Sequence, residues 1–206
     1  MSIILELASS MGRKDEEPNK DLGKRLVESN NLSGVKEVGK NLRSENRDIQ
    51  MDCLAVLEQV GLLAPELIED YLDEFLRLAF GKDNRLIWAS MINISLIADR
   101  KTDQIMEHIE GIVELINKGS VITQDNGIKI LARVAAKPAY NERLYPYLIN
   151  QLNICRSKSV PQYAESIRVA VNPGNADLYL GVLNSRLKEL SSAQQKRISK
   201  IINSFE

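Results

Sequence analysis

The fold is decided by three stretches of similar sequence, IQMDCLAVLEQVG (49–61), LIWASMINISLIA (86–98) and TQDNGIKILARVA (123–135). They follow one another at a step of 37 residues, and the fifth position of each holds a small residue. With one more step, this column consists of Cys53, Ser90, Gly127 and Ala164. A fixed period between about 20 and 50 residues indicates stacked structural repeats. The sequence therefore predicts a repeat architecture.

Apolar columns on either side of the small column keep the same step. They are Ile49, Leu86, Thr123 and Val160; Val60, Ile97, Val134 and Val171; and Leu57, Ile94 and Leu131, a column that Arg168 breaks. Glycine inside a helix costs about 1 kcal/mol relative to alanine, so Gly127 needs a reason. We expect the reason to be close packing, because a bulky side chain at this column would push neighbouring helices apart.

Every predicted element is a helix. Apolar residues recur at i, i+3, i+4 and i+7 nearly throughout the chain after residue 20, which is typical of amphipathic helices, and no sustained alternation indicates a strand. Turn residues divide this pattern into helices at 20–30, 33–42, 48–62, 64–80, 85–98, 102–118, 122–136, 141–155, 161–171, 175–190 and 192–205. Pro146 is expected to kink its helix or delay its start, and Ser192 with Gln195 has the spacing of a capping box.

The first helix of each predicted pair also keeps the period, with Val38, Phe75, Ile112 and Ile149 in one column. Two helices per repeat at this period resemble the HEAT-like (armadillo-type) helical repeat family, closely over 31–172 and loosely over 173–206. The resemblance implies an all-α, right-handed α–α superhelix, a HEAT-like solenoid of about five helix pairs. The composition of the chain predicts two regions, an N-terminal segment and charged linker at 1–20 and the repeat domain at 21–206. The fourth repeat departs from the pattern at Glu165 and Arg168.

The chain carries its charge unevenly although its formal net charge is only −1. Residues 1–117 hold 14 Lys and Arg against 22 Asp and Glu, whereas residues 118–206 hold 13 against 6. Opposite charge on the two halves favours contacts between copies, so head-to-tail self-association is one prediction. The favoured partner is nevertheless a different protein, and self-association is the alternative.

Several features of the sequence bear on the cellular compartment of the protein. No run of 18 apolar residues is present, so no membrane contact is expected. The stretch SIILELA (2–8) lacks the basic region of a secretory signal, and we expect it to dock as a cap on the first helix pair. Cys53 and Cys155 form neither a disulfide framework nor a metal-binding spacing. These observations favour a cytoplasmic protein in a reducing compartment.

The sequence contains few side chains or motifs that are typical of catalysis. His108 is the one histidine, neither cysteine has a histidine near it in sequence, and no glycine-rich phosphate-binding motif occurs. The acidic cluster at 66–74 is expected to be a solvated helix face, because carboxylates near a helix start complement its dipole. The sequence predicts no cofactor, no metal site and no catalytic residue, and it favours a protein that is not an enzyme.

The better candidate for function is the groove that the second helices would line in a HEAT-like stack. Six groove positions carry the prediction: Trp88, Ile92, Asn126, Lys129, Arg133 and Arg168. Trp88 and Ile92 lie one helical turn apart and predict an apolar patch. Lys129 and Arg133 have the same spacing and predict a basic strip that Arg168 would extend. The predicted function is a protein-interaction scaffold that binds its partner along this groove.

One alternative is an enzyme that acts on DNA. Some alkylpurine DNA glycosylases resemble HEAT stacks of similar length, and the resemblance implies that the basic groove would grip DNA with Asp52 or Asp125 as the acid. The acidic first half and a pI near 6.0 disfavour this alternative, because proteins that bind duplex DNA usually present a strongly basic surface.

Overall fold

The computed structural model describes residues 2–205, which form twelve α-helices and no β-strand. The helices are α1 (Glu17–Glu28), α2 (Leu32–Lys40), α3 (Arg47–Leu63), α4 (Leu72–Ala79), α5 (Asn84–Ile97), α6 (Thr102–Glu107), α7 (Ile109–Lys118), α8 (Val121–Ala135), α9 (Pro138–Ile154), α10 (Val160–Ile167), α11 (Ala176–Arg186) and α12 (Ser192–Ile202). Short 3₁₀ turns lie at Ile3–Glu6, Asn41–Arg43, Pro65–Leu67, Glu69–Tyr71, Ser157–Ser159, Arg168–Ala170 and Leu187–Glu189. The predicted all-helical fold is confirmed. None of the described helices has both the length and the apolar character that crossing a bilayer requires.

The chain divides into two compact units, the first ending at Lys101 and the second beginning at Thr102. In the first unit α3 packs against both α1 and α5, and α4 packs against α5. In the second unit α8 packs against α7, α9 and α10, and α10 also packs against α12. We call α3, α5, α8, α10 and α12, the later helices of the predicted pairs, the inner helices.

The column of small residues is buried, as predicted. Cys53, Ser90 and Ala164 have no exposed surface, and Gly127 is also buried. A close approach between helices is found at Gly23 in α1, where a Cβ atom would lie 2.7 Å from the carbonyl oxygen of Val56 in α3. The column of small residues is thus buried, and at Gly23 the absence of a side chain allows α1 to approach α3 closely.

Two of the helices predicted to come first in their pairs are broken, and this corrects the sequence prediction. The helix expected at 64–80 consists of two 3₁₀ turns followed by α4, and the helix expected at 102–118 is divided into α6 and α7. The breaks fall at Tyr71 (φ −95°) and His108 (φ −109°), which are 37 residues apart. Ile105 and Ile109 are both buried on either side of the second break, so the apolar spacing continues across it and the periodicity gave no sign of a break.

Of the two effects expected of Pro146, the delayed helix start is not found. Helix α9 begins at Pro138 and runs to Ile154 with Pro146 in its interior, so the proline does not delay the helix start. The preceding residue, Tyr145, occupies the same repeat position as Tyr71 and His108. Its side chain is buried, and its hydroxyl donates a hydrogen bond to the carbonyl oxygen of Asn175 at 3.1 Å.

The N-terminal segment contacts α1, α2 and α3, and it thus docks on the first helix pair, as expected. Leu7 and Ala8 are buried, and the amide of Ala8 donates to Asn19 Oδ1 at 3.0 Å. The amide of Ser9 donates to Asp52 Oδ2, and Asn19 Nδ2 donates to Asp52 Oδ1, both at 2.7 Å. Part of the stretch predicted to be a charged linker is helical, because α1 already begins at Glu17.

The last helix ends the second unit with a polar face. Its exposed residues include Ser192, Gln195, Lys196, Ser199, Lys200 and Asn203. The capping box lies one residue earlier than predicted: Ser191 is the N-cap, and its amide donates to Gln194 Oε1 at 3.0 Å. The side chain of Gln195 instead donates to the carbonyl oxygens of Leu187 and Leu190.

Candidate functional site

The inner helices of the second unit form an open depression of about 470 Å³. Seven side chains from three helices and the turn after α10 line it: Lys129, Arg133, Gln162, Glu165, Ser166, Val169 and Arg197. Residues four apart lie on the same face of a helix. Lys129 and Arg133 on α8 therefore stand one turn apart, and Gln162 and Ser166 on α10 have the same spacing.

Glu165 and Arg197 form a two-pronged ion pair across the depression, between α10 and α12. Arg197 Nε lies 2.9 Å from Glu165 Oε1, and Arg197 Nη2 lies 2.6 Å from Oε2. The paired carboxylate raises the pKa of Arg197, and both side chains are about half exposed. This pair explains why a carboxylate occupies a repeat position that is apolar elsewhere: the last helix supplies its cation.

Arg168 lies outside the set of side chains that line the depression. It is exposed, and its guanidinium carbon lies 5.8 Å from the centre of the Phe205 ring, within the range of a cation–π contact. The structure therefore places Arg168 beside Phe205, which follows the last helix.

Asn126 is mostly buried, and two of its contacts lie within its own helix. Its side-chain amide donates to the carbonyl oxygen of Ile122 at 2.9 Å, and Lys129 Nζ donates to its Oδ1 at a long 3.4 Å. Asn126 therefore lies beneath the surface that Lys129 helps to form.

Asp125 is half-buried beside the depression. Burial raises the pKa of its carboxyl group, while the nearby charges of Arg156 and Lys129 act in the opposite direction. Burial also raises the pKa of the neighbouring Tyr163 hydroxyl. This carboxyl group therefore retains its proton to a higher pH than an exposed aspartate.

In the first unit, Trp88 and Ile92 of α5 are both half-buried. Trp88 lines a small cleft of about 50 Å³ together with Met51 and Ala55. Three carboxyl-bearing side chains, Glu16, Asp52 and Glu58, line the same cleft. Within its own unit the tryptophan thus has acidic neighbours, and the predicted association of Trp88 with the basic residues stays a prediction.

Both oxygens of Asp52 accept hydrogen bonds from the N-terminal segment and from α1, as described above. This carboxylate therefore holds local structure together. The acidic cluster at 66–74 is also engaged in ion pairs: Glu69 with Arg100, Glu74 with Arg77, and Asp70 with Lys101. Among residues 2–205, no group of three or more His, Cys, Asp or Glu residues has the arrangement to hold a metal ion.

No family model matches the chain, and no curated protein matches its sequence. Solved structures do match. A designed armadillo repeat protein in complex with the peptide (KR)₄ superposes with a TM-score of 0.67 at 14% identity, covering 91% of this chain and 87% of that one. The chain has the armadillo-like helical-repeat fold.

Two further structures share this armadillo-like fold. Computationally designed armadillo repeat proteins for modular peptide recognition give a TM-score of 0.66 at 16% identity, over 90% of this chain and 87% of theirs. An engineered protein gives a TM-score of 0.64 at 18% identity, over 98% of this chain and 94% of its own.

The sequence analysis did not identify Arg197 as part of the candidate site. The signal was present, because Glu165 interrupts an apolar column and therefore calls for a cation nearby. Three basic residues of α12, Lys196, Arg197 and Lys200, were available. The three side chains project from α12 in different directions, and these directions decide which of them pairs with Glu165. The repeat period is weak in the last repeat and did not predict the directions.

Proposed function

We propose that this protein is a non-enzymatic interaction scaffold that binds an extended segment of a partner protein along its inner helices. The open depression on α8, α10 and α12 carries the proposal. Its volume of about 470 Å³ accommodates several side chains, and its lining combines cations, an amide, a hydroxyl and an exposed valine. Such a mixture suits a polypeptide, which offers carbonyl and amide groups together with side chains.

The fold neighbours support the same proposal. One of them is a designed armadillo repeat protein in complex with a peptide, and another set was designed for modular peptide recognition. In our proposal the residues of the second unit that bind the partner are Lys129 and Arg133, with Asn126 supporting Lys129 from below. Trp88 and Ile92 provide an apolar contact in the first unit, and Arg168 a peripheral one in the second. Two free cysteines fit the proposed cytoplasmic setting.

A steric block tests the proposal. A displayed library of random peptides is selected on the full chain, and the affinities of the selected peptides are then measured for the Ser166→Trp variant. Ser166 lies in the depression and its hydroxyl donates to the carbonyl oxygen of Gln162 at 2.8 Å. A tryptophan there fills the depression without changing its charge, so we expect binding to fall by at least about tenfold, the equivalent of 1.4 kcal/mol.

Ser185→Trp is the matched control. Ser185 is exposed on α11, and its hydroxyl makes a similar bond to the carbonyl oxygen of Val182 at 2.8 Å. This control variant should bind like the wild type. If no peptide is selected, or if Ser166→Trp binds every selected peptide as tightly as the control does, the proposed function is wrong.

A further inference from the structure

We infer that the exposed face of α11 binds the same face of a second copy of this chain, with the two helices antiparallel. This inference goes beyond the proposed function and does not depend on it. Within its own chain, α11 packs against α9 and α12. On its other side, four residues that we call the α11 face are exposed: Asp177, Gly181, Asn184 and Lys188. They follow one another at steps of four, three and four residues, so they share one side of α11 and of the 3₁₀ turn that continues it.

Gly181 is the first observation that points to a partner. Glycine in the interior of a helix is less favourable than alanine, so we look for a close contact that favours it. At Gly23, Gly39 and Gly61 the contact lies inside the chain, because other atoms occupy the space that a Cβ atom would fill. At Gly181 a Cβ atom would meet nothing within 4 Å. We therefore expect the close contact at Gly181 to come from another molecule.

The charges of the α11 face are the second observation. Asp177 lies in the first turn of α11, and Lys188 lies in the 3₁₀ turn just beyond its end. Glu189, the neighbour of Lys188, pairs with Arg186. Among residues 2–205, neither Asp177 nor Lys188 takes part in an ion pair. A helix face with an anion at one end and a cation at the other complements its own copy when the two helices are antiparallel.

The spacing of the α11 face gives the register of the two helices. In an antiparallel pair centred midway between Asp177 and Lys188, each Asp177 would lie opposite Lys188 of the second copy. Each Gly181 would then lie opposite Asn184. The two-fold symmetry of such a pair repeats every contact twice. The second copy would also cover part of the Leu178 side chain, which is 55% exposed.

The size of this contact predicts a weak dimer. Standard stable interfaces bury about 1,600 Å² in total, whereas α11 has 11 residues and is therefore only about 16 Å long. We expect dimers to form at protein concentrations of about 0.1–1 mM. High salt should weaken the dimer further, because the exposed charges are then screened.

Sedimentation velocity of the full chain, from about 10 μM to about 1 mM at low salt, tests the inference. We expect one equilibrium between monomer and dimer. Asp177→Lys and Lys188→Asp should each weaken the dimer about tenfold, because both symmetric ion pairs become contacts between like charges. The double variant Asp177→Lys/Lys188→Asp restores opposite charges and should return the dissociation constant to within about threefold of the wild type.

A matched control separates the local contact from net charge. Lys196→Asp changes the net charge by the same amount as Lys188→Asp, at an exposed position on α12. It should change the dissociation constant of the dimer less than about twofold. Circular dichroism checks that each variant is folded.

Replacing Gly181 separates self-association from folding. Glutamine favours a helix more than glycine does, and the site is open, so Gly181→Gln should make the monomer more resistant to urea. The same side chain would hold the two helices apart, so the dimer should weaken about tenfold or more. A residue that serves only the fold of its own chain would not change the two measurements in opposite directions.

Several results would overturn the inference. They are a chain that stays monomeric at the highest concentration, single charge reversals without effect, and a double reversal that does not restore the dimer. A series of species that grows beyond the dimer would also overturn it and would indicate head-to-tail contacts instead. None of these results changes the binding of selected peptides or its block by Ser166→Trp, so the proposed function is tested separately.

Discussion

Replacing Asp52 with asparagine should destabilise the first unit by about 2 kcal/mol. Asp52 Oδ2 accepts the amide of Ser9, and Oδ1 accepts the side-chain amide of Asn19, both at 2.7 Å. Asparagine has the same shape but offers only one acceptor oxygen. Whichever way its amide is turned, its NH₂ group faces either the Ser9 amide or the Asn19 amide, so one donor meets another donor.

The magnitude follows from these two contacts. A hydrogen bond to a charged group contributes about 1.5–3 kcal/mol. The contacts are part-buried, so we take the lower part of this range for each. Asp52→Asn loses one bond and strands a donor, which gives about 2 kcal/mol. Asp52→Ala loses both bonds and should cost about 3–4 kcal/mol, because the Ser9 and Asn19 donors are then left without an acceptor.

Urea unfolding followed by circular dichroism measures the effect, with Asp48→Asn as the control. Asp48 lies on the same helix, is exposed, and makes only a 3.6 Å surface contact with Arg47. Its replacement should change the free energy of unfolding by less than about 0.5 kcal/mol. If Asp52→Asn changes the free energy of unfolding as little as the control does, the carboxylate does not hold the N-terminal segment in place. Asp52 would then again be a candidate for a role in binding or chemistry.

Three further predictions concern other parts of the chain. The hydrogen bond from Arg47 holds the pKa of Asp83 at about 2, below its usual 3.8, so the pair should contribute stability above pH 3.8 that is lost as the pH falls towards 2. The difference in unfolding free energy between wild type and Asp83→Asn, measured from pH 5 to pH 2, should therefore shrink, and a constant difference would contradict this. Burial raises the pKa of Cys53 to about 12. In a variant that lacks Cys155, the Cys53 thiol should therefore react with a disulfide reagent at pH 8 only after the chain unfolds. Rapid reaction of the folded chain would contradict this, because it would show that the thiol is accessible. Gly23→Ala should destabilise the folded chain by about 1–3 kcal/mol, because the added Cβ would overlap the backbone of α3. Gly181→Ala, whose Cβ meets nothing within 4 Å, should instead stabilise the folded chain by about 0.5–1 kcal/mol. Equal effects of the two replacements in urea unfolding would refute the packing argument.

The repeat period was sufficient to predict the helical fold, because burial at one depth recurs at each step. Cys53, Ser90, Gly127 and Ala164 are buried where the period placed them. The breaks at Tyr71 and His108 could not be predicted in the same way. A change of backbone angles at one residue leaves the apolar spacing intact, and the periodicity carries no information about it.

The candidate site was predictable only in part. The one-turn spacing of Lys129 and Arg133 on α8 was sufficient to place both side chains together in the depression. Arg168 and Arg197 depended instead on the orientation of the last helix, where the period has faded. Which cation meets Glu165 is decided by contacts between α10 and α12, and residue type alone does not distinguish the candidates.

The water-facing side of α12 exposes the ammonium groups of Lys196 and Lys200. Burying an ammonium group without a counter-charge is strongly unfavourable. Any helix that packs over this side of α12 should therefore carry carboxylates at the positions that face the two lysines.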